Sequence, residues 1–139
     1  AAILRAATSE EDRIRKVVYT VIRAAEEHDL RTVSGCLHSD FCAEEFGWDR
    51  DTTIDLLRRI FLRWKVIRVR LRGSPIVRII DDANAEVTLV AEVLASAAPG
   101  VAGESLSRHR GSDRFRLSFR KVRGNWSILR SAIVPSTAD

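Results

Sequence analysis

The sequence predicts an α+β fold, helices first and strands after, and three observations predict it. Apolar residues recur at helical spacing from Ile14 to Trp64. From Lys65 the apolar period falls from that of a helix to that of a strand with one buried and one wet face. The chain has 139 residues, 45% of them hydrophobic, which suffices for one domain with a core and is too apolar for a disordered tail.

The elements follow in order. Residues 1–8 are small and weakly patterned and read as a flexible lead-in. Thr8 with Glu11, or Ser9 with Asp12, offers a capping box for a helix over 10–28. Ile14, Val17, Val18, Val21, Ile22 and Ala25 form its apolar face. Asp29 can cap a shorter second helix carrying Leu30, Val33 and Leu37, weakened by Gly35. Phe41-Cys42-Ala43 reads as a short strand, and Asp49 or Asp51 opens a third helix through Trp64.

Beyond it, Ile67, Val69 and Leu71 alternate with Arg68, Arg70 and Arg72. Gly73-Ser74-Pro75 interrupts this strand, as a bend or as a turn between strands. Residues 76–80 stay extended to a turn at 81–84, and Val87, Leu89, Ala91 and Val93 then alternate with Glu86, Thr88, Val90 and Glu92. Residues 97–112, with Pro99, Gly100, Gly103 and Gly111, read as the one long loop. Phe115, Leu117 and Phe119 next alternate with Arg114, Arg116 and Arg120. Arg123-Gly124-Asn125 turns the chain into a last strand over 126–134. The reading is a single domain over 9–135 with a tail over 136–139.

Several function classes lose their usual support. No apolar run approaches the roughly 18–20 residues of a membrane span. Two cysteines exclude a disulfide-dense scaffold and a four-cysteine zinc site. Phosphate-binding loop, dinucleotide fingerprint, nucleophile elbow and HExxH are all missing, so no cofactor is expected. Cys36 and Cys42 could pair only in an oxidising compartment, and two semi-buried thiols are the favoured reading.

The stretches 11–29, 30–41 and 51–64, together with the closing hairpin from Asp113 through Trp126 to Leu129, carry a resemblance. The chain resembles the nuclear transport factor 2-like superfamily (cystatin-like, SnoaL-like), and within it small bacterial members of unassigned function. The resemblance implies a cone of three N-terminal helices packed on a strongly curved antiparallel sheet, with a pocket at the open end. It also implies a homodimer through the outer sheet face. Several such proteins are exported or lipid-anchored, so an exported location ranks slightly ahead of a cytoplasmic one. The fold hosts catalysts, binders and association modules alike.

Enzymes of this superfamily, such as ketosteroid isomerase and scytalone dehydratase, place Asp, His or Tyr on the concave face, where burial tunes an acid or base. By alternation the faces of Ile67, Val87 and Phe115 carry no carboxylate or histidine, which leaves the inward sheet without either. The catalytic candidates are then His28 near the end of the first helix, set by Glu44 or Glu45. A capping role for His28 ranks ahead. A non-catalytic binding or association domain predicts that removing His28 leaves stability and ligand retention nearly unchanged. Tyr19 falls off the apolar face, His38 and Asp40 suit a turn, and His109 reads as a solvated loop residue. Cys36, His38, Asp40 and Cys42 could converge on a metal only along a strand, and Cys36 reads as helical, so no metal is expected.

Phe46, Trp48, Phe61 and Trp64, with Leu89, Phe115 and Leu117, could line a mouth for a small apolar ligand, although plain core is the commoner fate of such residues. Residues 1–57 carry a net charge of −5 and residues 58–139 one of +9. Much of that excess lies in two strand faces, Arg68, Arg70 and Arg72, and Arg114, Arg116 and Arg120. Such a face could neutralise phosphates. It lacks the interleaved aromatics of single-strand binders, and Glu86 and Glu92 can pair with it across strands. A charge-laced dimer contact therefore ranks above nucleic acid. The leading reading is a non-catalytic small-ligand-binding or protein-association domain. The alternative is an isomerase or dehydratase acting on an apolar substrate, which needs His28 and Glu44 or Glu45 together in the pocket.

Overall fold

In the computed structural model the backbone is described for residues 2–96 and 108–134, and the side chains for 10–96 and 113–134. Helix α1 (Ala2–Glu26) starts well ahead of the expected residue 10. It buries Ile14 and Val18 completely or nearly so, with Val17, Val21 and Ile22 beside them. Its end is a Schellman motif: Asp29 N donates to Ala24 O at 2.8 Å and His28 N to Ala25 O at 3.2 Å. The left-handed position of that motif, usually glycine, is His28 at φ 59°.

Asp29 then caps α2 (Leu30–Gly35), its carboxylate accepting from Thr32 N at 3.1 Å and from the Thr32 hydroxyl at 2.6 Å. Strand β1 (Leu37–Ala43) turns through Gly47 into β2 (Trp48–Asp49), and Asp49 caps α3 (Arg50–Arg63) through Thr52 N at 2.9 Å. The remaining strands are β3 (Val66–Leu71), β4 (Ile76–Asp81), β5 (Asn84–Ser96), β6 (Arg108–Val122) and β7 (Asn125–Val134).

The helices pack on one curved sheet of order β2-β1-β7-β6-β5-β3, with β4 also on β5. The sheet is mixed, where an antiparallel one was expected: β1 runs parallel to β7, with Leu37 opposite Ile128. A parallel neighbour needs a long crossover, and here everything from β2 to β6 intervenes. Gly73-Ser74-Pro75 is a bend along one edge. β3 pairs with residues 91–96 of β5 and β4 with residues 84–88 of the same strand, end to end. Gly73 makes the bend possible at φ 79°.

The long loop expected over 97–112 is strand from Arg108 onward, with His109 opposite Ala95 and Gly111 opposite Val93. Residues 97–107 lie outside the described ones, as does the tail. The core lies at the closed end, where Ala85, Val87 and Phe119 of the sheet meet Ile14 and Val18 of α1, with Trp126 and Ile128 alongside.

Candidate functional site

Alternation along the strands fixes what faces the helices. Leu89 stands opposite Phe115, Val87 opposite Leu117 and Ala85 opposite Phe119, so these side chains share the inner face. Toward the other end of β5 the inward residues become small: Ala91, Val93 and Ala95. The last turns of α3 stand over them without filling the space. A cavity of about 380 Å³ results, walled by Ile60 and Trp64 from the helix side, Ile67 from β3, the three small residues of β5, and Phe115 from β6. This volume falls within the usual range for small-molecule sites.

One further residue lines it. Asp113 lies opposite Ala91, two residues before Phe115 and therefore on the same inward face. The expectation of an inner sheet without carboxylate is thus corrected. β6 begins at Arg108 rather than after a loop ending at 112, so Asp113 sits within the ladder and alternates inward with Phe115. Its side chain is exposed at the mouth. Among the described residues it has no hydrogen-bond or ion-pair partner.

The expected pocket residues divide. Trp64 and Phe115 line the cavity; Leu89 is buried beneath it, and Leu117 packs on the same core. Phe61 stacks in tilted fashion on the His28 ring, with centroids 5.3 Å apart. Phe46 and Trp48 stack on each other at 4.1 Å beside the β1–β2 turn, Phe46 on the surface and Trp48 against the core. Neither borders the cavity.

His28 and the two glutamates are not brought together. His28 Nε2 lies 2.6 Å from the Trp64 carbonyl oxygen. A carbonyl only accepts, so Nε2 carries a proton and the ring ties the end of α1 to the end of α3. Glu44 lies with Arg116 and Arg130 of the sheet, at 3.9 Å from each. Glu45 accepts from Ile133 N, supplying β7 with an acceptor beyond the end of β1. The constellation that the catalytic alternative needed is therefore not assembled.

Cys36 and Cys42 are free thiols, and burial pushes the Cys36 thiol up, away from the reactive thiolate. His38 Nδ1 accepts from Asp40 N at 2.9 Å, a local turn contact. Among the described residues no three His, Cys, Asp or Glu side chains are grouped to hold a metal. Nor is any helix among them long and apolar enough to cross a membrane. A wider groove of about 600 Å³ runs along the solvent side of α1, lined by charges of both signs such as Asp12, Lys16, Arg23 and Glu27.

Of the two arginine faces, Arg72 and Arg116 engage carboxylates, and Arg78 and Arg130 beside them do the same. Arg78 meets Glu86 at 3.2 Å, Glu86 meets Arg116 at 4.0 Å, and Glu44 links Arg116 to Arg130. The alternating chain of charges crosses β4, β5, β6 and β7. Arg72 pairs with Glu92 at 3.7 Å, and Arg120 Nε donates to Asn84 Oδ1 at 3.1 Å. Arg68 donates to the backbone of Ile67, while Arg70 and Arg114 have no ion-pair partner among the described residues.

No protein-family model matches the sequence, and no curated protein matches it. Solved structures do match. A nuclear transport factor 2-like superfamily protein from Salmonella enterica superposes with a TM-score of 0.76 at 9% identity, covering 95% of this chain and 96% of that one. A protein of the same family from Streptomyces avermitilis, provisionally named a dehydratase, gives a TM-score of 0.73 at 15% identity, covering 94% and 98% of the two chains. An uncharacterised protein with a cystatin-like fold from Caulobacter vibrioides gives 0.70 at 16% identity, covering 90% and 89%. Identities this low carry the fold and nothing finer. With its three helices on a curved mixed sheet, this chain has the cystatin-like fold of the nuclear transport factor 2-like proteins.

Proposed function

We propose that the protein binds a small, mainly apolar molecule in the cavity between α3 and the inner sheet. The observation that carries this reading is the cavity itself: about 380 Å³ walled almost wholly by apolar side chains. Burying an apolar ligand there removes its surface and the cavity's from water, which favours binding at about 25 cal/mol per Å² before association costs. The reading is tested with a neutral fluorescent probe, N-phenyl-1-naphthylamine. We expect saturable fluorescence enhancement from the wild type and loss of it in Val93→Trp, which fills the space. Equal enhancement in both proteins would place the probe elsewhere and remove the support for a ligand cavity.

A second reading concerns the outer sheet face, and the alternating charges favour it. A two-fold contact brings each residue against a different one of its twin, so a face carrying Arg78, Glu86, Arg116, Glu44 and Arg130 in alternation can meet its own copy with opposite signs in register. We propose that this face supports a homodimer. The engagement of Arg78, Arg116, Arg130 and Arg72 with carboxylates leaves fewer cations for a phosphate backbone, which favours this contact over nucleic acid.

A further inference from the structure

We infer that Asp113 makes the cavity selective for apolar molecules that carry a protonated amine. The inference rests on the ligand-binding reading above and names the class of molecule that the same cavity would take.

Among the described residues Asp113 is the one charged side chain that lines the cavity. Its position explains why no described residue engages it. Ala91 lies directly across on β5, and Phe115 follows it on the same face of β6. No cationic side chain faces it from these neighbours. Arg114, its chain neighbour, points to the other side of the sheet by alternation. Elsewhere on the sheet, carboxylates are taken: Glu86 by Arg78, Glu92 by Arg72, and Asp81 by Ala83 N and Asn84.

A ligand with an anionic group would bring like charge against Asp113, and no lining cation among the described residues would offset it. A neutral apolar ligand would gain burial alone. A ligand with an ammonium group at one end would keep that burial and add a charge-assisted hydrogen bond at the mouth. Trp64 and Phe115 line the same walls, and an aromatic ring attracts a cation rather than an anion, as the Arg63 guanidinium 5.1 Å from the Trp64 ring centroid shows. The chain's overall charge of +4 opposes this only weakly, because exposed charges beyond a Debye length are screened.

The test displaces bound N-phenyl-1-naphthylamine with naphthylethylamine, naphthylethanol and naphthylacetate, at neutral pH and physiological ionic strength. We expect the amine to displace the probe at roughly three- to ten-fold lower concentration than the alcohol, as befits a partly exposed pair, with the carboxylate weakest. Asp113→Asn should bring the amine level with the alcohol, and Asp113→Glu should keep the wild-type order. An amine no better than the alcohol in the wild type, or an unchanged preference in Asp113→Asn, would overturn the inference while leaving the cavity reading intact. A wild type that binds no probe would overturn both.

Discussion

At His28 the chain leaves α1 through a left-handed residue whose side chain also reaches the Trp64 carbonyl, and both facts bear on its replacement. Alanine there keeps the backbone strain and deprives that carbonyl of its donor. We expect His28→Ala to cost about 1–2 kcal/mol in urea unfolding, and His28→Gly to cost less because glycine accepts positive φ freely. Placing His28 at a helix end was legible in the sequence. Its partner was not, because Trp64 lies far along the chain and nothing local marks the contact. The expected indifference of stability to His28 is revised for that reason. Asp113 was missed differently. Its alternation with Phe115, Leu117 and Phe119 is plain in the sequence, but the glycine-bearing stretch before it reads as loop up to residue 112, which leaves Asp113 at the bare start of the strand.

Carboxylates join the elements to one another. Glu10 of α1 accepts from Lys121 Nζ at 2.8 Å and from Trp126 Nε1 at 3.2 Å, clasping the helix to the β6–β7 hairpin. Lys121 first, by hydrogen bond and charge, and Trp126 after it hold the Glu10 carboxyl below its ordinary range. A lowered carboxylate stabilises the fold above the unfolded-state value and ceases to do so as pH falls through the folded-state one. Glu10→Gln should therefore lose about 0.5–1 kcal/mol at neutral pH, and the gap to wild type should close in acid melts. The Thr32 hydroxyl and then its amide hold Asp29 low in the same sense, and the Thr52 amide and then its hydroxyl hold Asp49 low. These caps were readable from residue type and spacing. So were the helical faces of α1 and α3. The parallel pairing of β1 with β7 was not, because it joins segments whose patterns say nothing of each other.

Across the whole molecule the charge is sorted by face as well as by sequence. The basic half supplies Arg78, Arg116 and Arg130, the acidic half supplies Glu44, and the two meet on the outer sheet. As exposed pairs they contribute little to folding, so their removal should be nearly silent in a melt. Their effect belongs to association. Arg116→Glu places like charge beside both Glu44 and Glu86, and we expect it to abolish the proposed dimer in sedimentation velocity while the monomer melts within a few degrees of wild type. Added salt should weaken the wild-type dimer in the same experiment. A dimer unaffected by both would locate the contact elsewhere.

The bend at Gly73-Ser74-Pro75 divides the partners of β5 between the two ends of the cone. β4 covers the end with the packed core, β3 the end with the cavity, and β6 spans both. Opening can then be local: β3 can detach from β5 while β4 and β6 still hold that strand, so the wall carrying Ile67 opens without dissolving the core. In deuterium exchange the ladder amides of β3 should become labelled before those shared by β5 and β6. A filled cavity should slow the first set and leave the second unchanged. The same bend that lets one edge follow a curved sheet would thus give the proposed ligand a door with its own free energy of opening, expected to be smaller than that of the core.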